Sequence, residues 1–210
     1  TSAITCSFGT LPAGASAQAN IFVSPQVAGT VSFSWTVSSA ESDANPTDNT
    51  AGAAADAVEA QPIALRVEDA GSGNGNGVLE PGELAGLVPT WGNPAAGDVA
   101  MTGTLVGFTG PGGATYSIVD ATADYGTIPA GGNVSCGECY QLLGAATVRP
   151  APHWDAQVTE QLASGTTHTW VLHLGASFQD VPPTFWAYKH VESVFHAGIS
   201  TGCAAQSFCP

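Results

Sequence analysis

Four apolar residues early in the chain alternate strictly with serine and threonine: Val31, Phe33, Trp35 and Val37. Successive side chains of a strand point to opposite faces, so this alternation predicts a half-buried strand with one apolar face. Shorter alternations recur along the chain, separated by turns that draw on 26 glycines and 14 prolines. Short strands between frequent turns are typical of a mainly β protein.

The charge of the chain is strongly one-sided. It has 17 acidic residues against three basic ones, Arg66, Arg149 and Lys189, for a formal net charge of −14. So few cations cannot release counterions from phosphate backbones, which excludes nucleic acid and anionic membranes as partners. Divalent cations are attracted instead. No apolar run reaches the roughly 18 residues of a membrane-spanning helix, so we expect no transmembrane segment.

The stretch from residue 72 to residue 83 matches the calcium-loop pattern D-x-[DN]-x-[DN]-G-x5-E at every position except the first. Ser72 replaces the usual aspartate there, and Asp69 is placed to supply the missing charge. The expected calcium ligands are Asp69, Ser72, Asn74, Asn76, Val78 (through its carbonyl) and Glu83. The flanking residues have strand character, which argues against an EF-hand. The alternative is an Asn/Gly-rich turn without metal.

Five cysteines lie in three places along the chain. In an acidic, turn-rich protein we expect two local disulfides, Cys136–Cys139 and Cys203–Cys209. The Cys136–Cys139 pair alternatively forms a redox site or half of a zinc site, although the spacing of Cys203 and Cys209 is wrong for a standard zinc knuckle. Cys6 is left over, so its partner is expected upstream or in another chain.

Three stretches of the first sixty residues carry a family resemblance: Cys6–Ser16, Val27–Val31 and Asp43–Thr50. They resemble the C-terminal half of the DUF11 family, whose members are Ig-like repeat modules of bacterial surface proteins. The resemblance covers about residues 4–58 and implies a partial module over residues 1–60 that lacks its first strands. Three or four strands cannot close a sandwich, so another segment or subunit is expected to complete it.

Over residues 61–178 the sequence predicts a second module of about seven short strands. They are expected at residues 63–67, 83–91, 99–108, 116–119, 123–128, 157–162 and 168–174. Its segments Asp69–Glu83 and Asp124–Gly132 resemble Ig-like modules near the C-termini of secreted bacterial proteins. That resemblance implies an Ig-like β-sandwich that calcium stabilises, with Asp69 among the calcium ligands. The expected fold is therefore mainly β, with tandem Ig-like β-sandwiches and one short C-terminal helix.

Residues 179–210 change character. Helical spacing of apolar residues predicts a helix over Thr184–Ala197, preceded by two prolines and stopped by Gly198. Phe178–Pro182 and Ala197–Cys203 resemble the first half of an S-layer homology-like repeat, a family whose full repeats bind cell-wall polymers. The second half of the repeat does not follow, so the resemblance implies a packing or assembly element.

No convincing catalytic set is found in the sequence. It lacks an H-E-x-x-H motif and a G-x-S-x-G elbow, and the five histidines are expected to be isolated. The five tryptophans offer a sugar-stacking platform, or one or two of them belong to a core. Asn133 begins an Asn-Val-Ser glycosylation sequon.

Together these features favour a non-enzymatic structural protein of the extracellular cell surface. It is expected to be a calcium-stabilised subunit of a bacterial filament or stalk, in which subunits form a homo-oligomer or polymer by exchanging strands. A cell-wall polymer or glycan is a further expected partner. The alternative function is a calcium-dependent adhesion or carbohydrate-binding module of a larger secreted enzyme.

Overall fold

The structure is a computed structural model that describes residues 3–23, 29–71, 73–137 and 139–210, without the side chain of Asp56. Within these ranges it is mainly β, with several antiparallel sheets and one short α-helix. The strands are β1 (Gly29–Thr36), β2 (Thr50–Ala57), β3 (Gln61–Glu68), β4 (Leu84–Gly92), β5 (Val99–Thr109), β6 (Thr115–Asp120), β7 (Thr122–Ile128), β8 (Asn133–Ser135), β9 (Tyr140–Ala145), β10 (Asp155–Leu162) and β11 (Thr167–His173). The helix is α1 (Tyr188–His196).

Strands β1 and β2 form a two-stranded antiparallel sheet of their own. Val31, Phe33 and Trp35 pair in register with three alanines of β2, so one face of the hairpin is apolar throughout. All three of these alanines are exposed, as is Trp35. The hairpin therefore presents an apolar face that the described part of the chain does not bury.

The sequence also predicts a short strand at Ile4–Phe8 and, from the alternation of residues 17, 19, 21 and 23, a strand that ends at Val23. Both predictions are wrong. Residues 3–23 are irregular and exposed throughout. Alternation alone does not make a strand, because its backbone N–H and C=O groups need a neighbouring strand, and the two-stranded sheet supplies none to this segment.

Strands β3–β11 form two further antiparallel sheets. One has the order β11-β10-β5-β7, and the other has the order β3-β4-β9-β6 with β8 paired to β4. Both contribute to a single apolar core, which includes Leu105 and Val158 from the first and Leu87 and Leu142 from the second. The prediction of a mainly β protein with one short helix is confirmed. Strands β8 and β9 were not predicted.

A carboxylate lies inside this core. Glu160 of β10 is fully buried, and its carboxylate accepts four hydrogen bonds from uncharged donors. The hydroxyls of Tyr125 and Tyr140 donate to Oε1 over 2.6 and 2.7 Å. The indole N–H groups of Trp91 and Trp170 donate to Oε2 over 3.2 and 2.8 Å. Strands of both sheets supply these donors, so Glu160 fastens one sheet to the other.

The C-terminal segment forms a second, smaller core. Its buried residues are Val78, Phe178, Val181, Tyr188, Val191 and Phe195. Helix α1 begins at Tyr188, four residues later than predicted, because residues 184–187 form turns. It ends as expected before Gly198, whose φ of +68° is the left-handed conformation that glycine favours at a helix end. No helix in the described ranges is long and apolar enough to cross a membrane.

Candidate cation-binding loop and histidine cluster

The loop between β3 and β4 is organised around Asp69, which follows β3 directly and is only 2% exposed. Its Oδ1 accepts a hydrogen bond from the backbone N–H of Gly77 over 2.9 Å, and its Oδ2 accepts one from Asn76 over 3.1 Å. Gly77 has φ +75°, as the sharp turn at this position of the pattern requires. Asp69 therefore closes the loop from within.

Glu83 holds the other end of the loop, one residue before β4. Its two carboxylate oxygens accept the backbone N–H groups of Asn74 and Glu80, each over 3.1 Å. Partial burial raises the pKa of Glu83, and the charges of Glu80 and Asp69 add to that rise, while the two N–H bonds offset part of it. A carboxylate in such surroundings is stabilised by a nearby cation.

Glu80 is the acidic residue of this loop that the sequence analysis missed. The side-chain amides of Asn74 and Asn76 donate to its two oxygens over 2.6 and 2.7 Å. The signal was present, because Glu80 occupies the ninth position of the pattern, which in calcium loops binds often through water. The loop thus holds three carboxylates and two carboxamides.

The predicted ligands divide as follows. Asp69, Asn74, Asn76 and Glu83 lie in one hydrogen-bonded loop, Val78 is buried with its side chain in the C-terminal core, and Ser72 lies outside the described residues. The donor set fits a hard cation, since calcium takes carboxylate and carbonyl oxygens. The carboxylates of Asp69, Glu80 and Glu83 are not all within 4.8 Å of one another. A cation would replace the two amide N–H donors as the partner of Glu80.

The loop lies against the C-terminal segment. The carbonyl of Leu79 accepts the N–H of Gly175 over 2.9 Å, and Val78 packs with Tyr188. The ammonium of Lys189 lies beside Gly77, where an added methyl group would approach it to 2.6 Å. The structure thus connects the loop with helix α1.

A second cluster of polar residues surrounds Asp155, the first residue of β10. Its Oδ1 lies 2.6 Å from Nδ1 of His173 and 2.7 Å from Nδ1 of His196. Asp155 and His173 face each other in the pairing of β10 with β11, and His196 is the last residue of α1. The two imidazoles stack with their centroids 4.3 Å apart. The expectation of isolated histidines is therefore wrong here.

His153 completes the cluster. It is exposed, stacks on Phe195 at 3.9 Å, and meets the ring of His196 edge-on at 5.6 Å. One potential ligand atom from each of His153, Asp155 and His196 lies within 4.8 Å of the other two. Burial alone would raise the pKa of Asp155, but the bonds and charge of His173 and His196 lower it overall.

His196 has one nitrogen without a hydrogen-bond partner among the described residues, the buried Nε2. The nearest acidic atom is Oε2 of Glu192, 3.6 Å away and too far for a hydrogen bond. Glu192 is itself buried and accepts two hydrogen bonds from Ser177, over 2.9 Å from its N–H and 2.7 Å from its hydroxyl. Burial would raise the pKa of Glu192, but His196 and Ser177 lower it overall.

Both predicted disulfides are present. Cys136 is bonded to Cys139, and Cys203 is bonded to Cys209. Cys6 is exposed and carries a free thiol. Both pairings are those that the sequence predicts.

The other predicted surface features lie apart from the loop. Asn133 begins β8 and is exposed, so the sequon is accessible. Trp91, Trp154 and Trp170 are buried in the main core, whereas Trp35 and Trp186 are exposed at 45% and 86%. The five tryptophans therefore do not form one platform.

No protein-family model matches the chain, and no curated protein does.

Proposed function

We propose that the chain is a non-enzymatic structural component of an extracellular cell-surface filament or stalk. In this proposal residues 61–178 form an Ig-like β-sandwich, and the hairpin β1–β2 belongs to a module that another copy of the chain completes. The resemblances to DUF11-like, calcium-loop Ig-like and S-layer homology-like modules support this assignment, as do the two disulfides.

The observation that carries the proposal is the uncovered apolar face of the hairpin. Val31, Phe33 and Trp35 lie on one face, opposite Ala55, Ala53 and Ala51. A two-stranded hairpin is marginal in water, and it needs either a third strand or a packed face to be stable. Each large apolar side chain that becomes fully buried contributes about 1.5–3 kcal/mol. A second copy supplies both the strand and the apolar cover.

The exposed segment 3–23 is the natural donor of that strand. It carries Ile4, Phe8, Leu11, Ile21, Phe22 and Val23, all exposed at 42% or more. Its alternating residues at 17, 19, 21 and 23 suit the edge of a sheet. When an extended segment adds to an open sheet edge, main-chain hydrogen bonds supply the affinity. Pockets for alternate side chains make the contact between subunits specific.

Calcium is the proposed cofactor, bound by the loop of Asp69 and Glu83. It stabilises the loop by replacing the Asn74 and Asn76 amides at Glu80 and by offsetting the repulsion among three carboxylates. Because Val78 of the loop packs with Tyr188 and Val191, the stabilisation extends to the C-terminal segment.

The test compares two exposed tryptophans. We expect the wild-type chain to form concentration-dependent oligomers or fibres, seen by sedimentation velocity and electron microscopy. Trp35→Ser should raise the concentration required for assembly at least tenfold, because it removes apolar area from the hairpin face. The matched control Trp186→Ser should assemble like the wild type, because Trp186 lies elsewhere and is 86% exposed.

A chain that stays monomeric at all concentrations, with Trp35→Ser no different from wild type, would contradict the assembly proposal. Monomers that bind on a glycan array would favour the carbohydrate-binding alternative instead.

A further inference from the structure

The cluster of His153, Asp155 and His196 joins three separate parts of the fold. His153 lies in the loop before β10, Asp155 begins β10, and His196 ends α1. We propose that these three residues bind a divalent transition metal of the zinc class, which fastens the C-terminal helix to the sheet. This inference is independent of the calcium proposal and involves none of its residues.

The donor set selects the class of metal. Two imidazoles and one carboxylate are ligands that zinc and its neighbours in the first transition series accept, whereas calcium prefers oxygen ligands only. Ligands of a tetrahedral zinc ion lie about 3.3 Å apart, given bonds of about 2.0–2.1 Å. The three ligand atoms already lie within 4.8 Å of one another, so small side-chain movements complete the site.

The unpartnered nitrogen of His196 provides a second, independent observation. The side chain of His196 is 1% exposed, and Nδ1 faces Asp155 while Nε2 has no hydrogen-bond partner in the described residues. When Nδ1 binds a metal, the proton of the neutral imidazole must reside on Nε2. Nε2–H then faces the carboxylate of Glu192, whose Oε2 lies 3.6 Å from this nitrogen. Carboxylates commonly hold metal-bound histidines in this way.

His173 has a different part in this site. Its Nδ1 lies 2.6 Å from the same Oδ1 of Asp155, but it is not among the three atoms that converge within 4.8 Å. It is therefore a positioning residue that orients the Asp155 carboxylate. Loss of such an outer partner typically lowers metal affinity by about 10–100-fold, whereas loss of a ligand removes the site.

An access route to the site is visible. A groove of about 660 Å³ is bordered by His153 together with Arg149, Phe178 and Phe195. Of the three proposed ligands His153 borders this groove, and it is exposed, so a metal ion would enter from the His153 side. The groove side also leaves the fourth coordination position to water, as in sites with three protein ligands.

The test uses the untagged chain, stripped with chelator and dialysed, and titrated with zinc chloride by isothermal calorimetry. We expect one zinc ion per chain and a rise in melting temperature. His153→Ala and His196→Ala should each lower the affinity at least a hundredfold, and His173→Gln should lower it about 10–100-fold. His190→Ala is the matched control, since His190 is exposed on the same helix.

His153→Ala carries the decisive result, because His153 is exposed and its replacement does not threaten folding, which circular dichroism verifies. Saturable zinc binding that is unchanged in His153→Ala and His196→Ala would overturn the proposal, as would a wild-type chain without saturable binding. Glu83→Ala should bind zinc normally, which separates this site from the calcium loop.

Discussion

The indole of Trp170 donates a hydrogen bond of 2.8 Å to the buried carboxylate of Glu160 on the neighbouring strand. Three further donors, from Trp91, Tyr125 and Tyr140, complete its partners. All four donors are uncharged side chains, so this carboxyl accepts its hydrogen bonds from neutral groups. A buried network of this kind is stabilising only while every member is satisfied.

We therefore expect Glu160→Ala to lower the free energy of unfolding by about 3–5 kcal/mol, because it leaves four buried donors without an acceptor. Glu160→Gln should cost about 2 kcal/mol, since its amide retains one acceptor oxygen but turns N–H groups towards two donors. The exposed Gln161→Ala on the same strand is the control. Chemical denaturation measures the free energy of unfolding of all three variants. Equal stability of Glu160→Ala and Gln161→Ala would refute the role of Glu160 as the acceptor for the four buried donors.

Calcium should slow amide hydrogen exchange in two places, the loop at residues 73–83 and helix α1. The physical reason is that Val78 of the loop packs with Tyr188 and Val191 of the helix. Exchange in β1 and β2 should not change. Glu83→Gln should abolish the calcium effect, and Glu59→Gln, at an exposed acid outside the loop, should retain it. Mass spectrometry with and without calcium provides the measurement, and uniform protection of the whole chain would argue against a local site.

Asp180 should make the end of the chain sensitive to acid. The backbone N–H groups of Phe208 and Cys209 donate to its two oxygens over 2.9 and 2.8 Å, and these bonds lower the pKa of Asp180 from its ordinary value of 3.8. Its stabilising contribution is therefore complete above the unfolded-state pKa and is lost as the pH falls through the lower folded-state pKa. NMR shifts of the two amides between about pH 6 and pH 2 should follow this titration. In Asp180→Asn the amides should show no such transition.

Arg149 should be far more important for stability than Arg66. Its guanidinium donates to the carbonyls of Pro152, Leu174 and Gly175 and to the hydroxyl of Ser177. Lysine cannot reproduce this planar set of donors, so Arg149→Lys should cost about 2 kcal/mol. Arg66 forms an exposed ion pair with Glu68, so Arg66→Lys should cost about 0–1 kcal/mol. Urea denaturation measures the free energy of unfolding of the two variants. An equal loss of stability in both would contradict the greater structural role of Arg149.

The sequence predicted the strands whose alternation is supported by pairing within the chain. Strands β1, β4, β5, β10 and β11 all appear within a few residues of their expected positions. Strand β8 has only three residues, too few for a period to be recognised, and β9 contains the adjacent apolar pair Leu142–Leu143. The strand predictions within residues 3–23 are wrong for the opposite reason. The residue pattern there is strand-like, but no described strand pairs with this segment.

The histidine cluster could not be predicted from spacing. Asp155 and His173 meet because the register of β10 and β11 pairs residue 155 with residue 173. His196 then reaches them through the packing of α1, which is a long-range contact without local periodicity. The calcium-loop pattern is local, so its carboxylates were found directly, and only Glu80 was overlooked.

Lys189, the single lysine of these 210 residues, lies beside Gly77 of the loop. Its side chain is exposed, so an amine-reactive fluorophore has one internal attachment point, located next to the proposed calcium ligands. A fluorophore on this lysine should report calcium binding by the loop as an optical signal, without any substitution in the protein. The same lysine offers one defined point of attachment for cross-linkers that map neighbouring subunits.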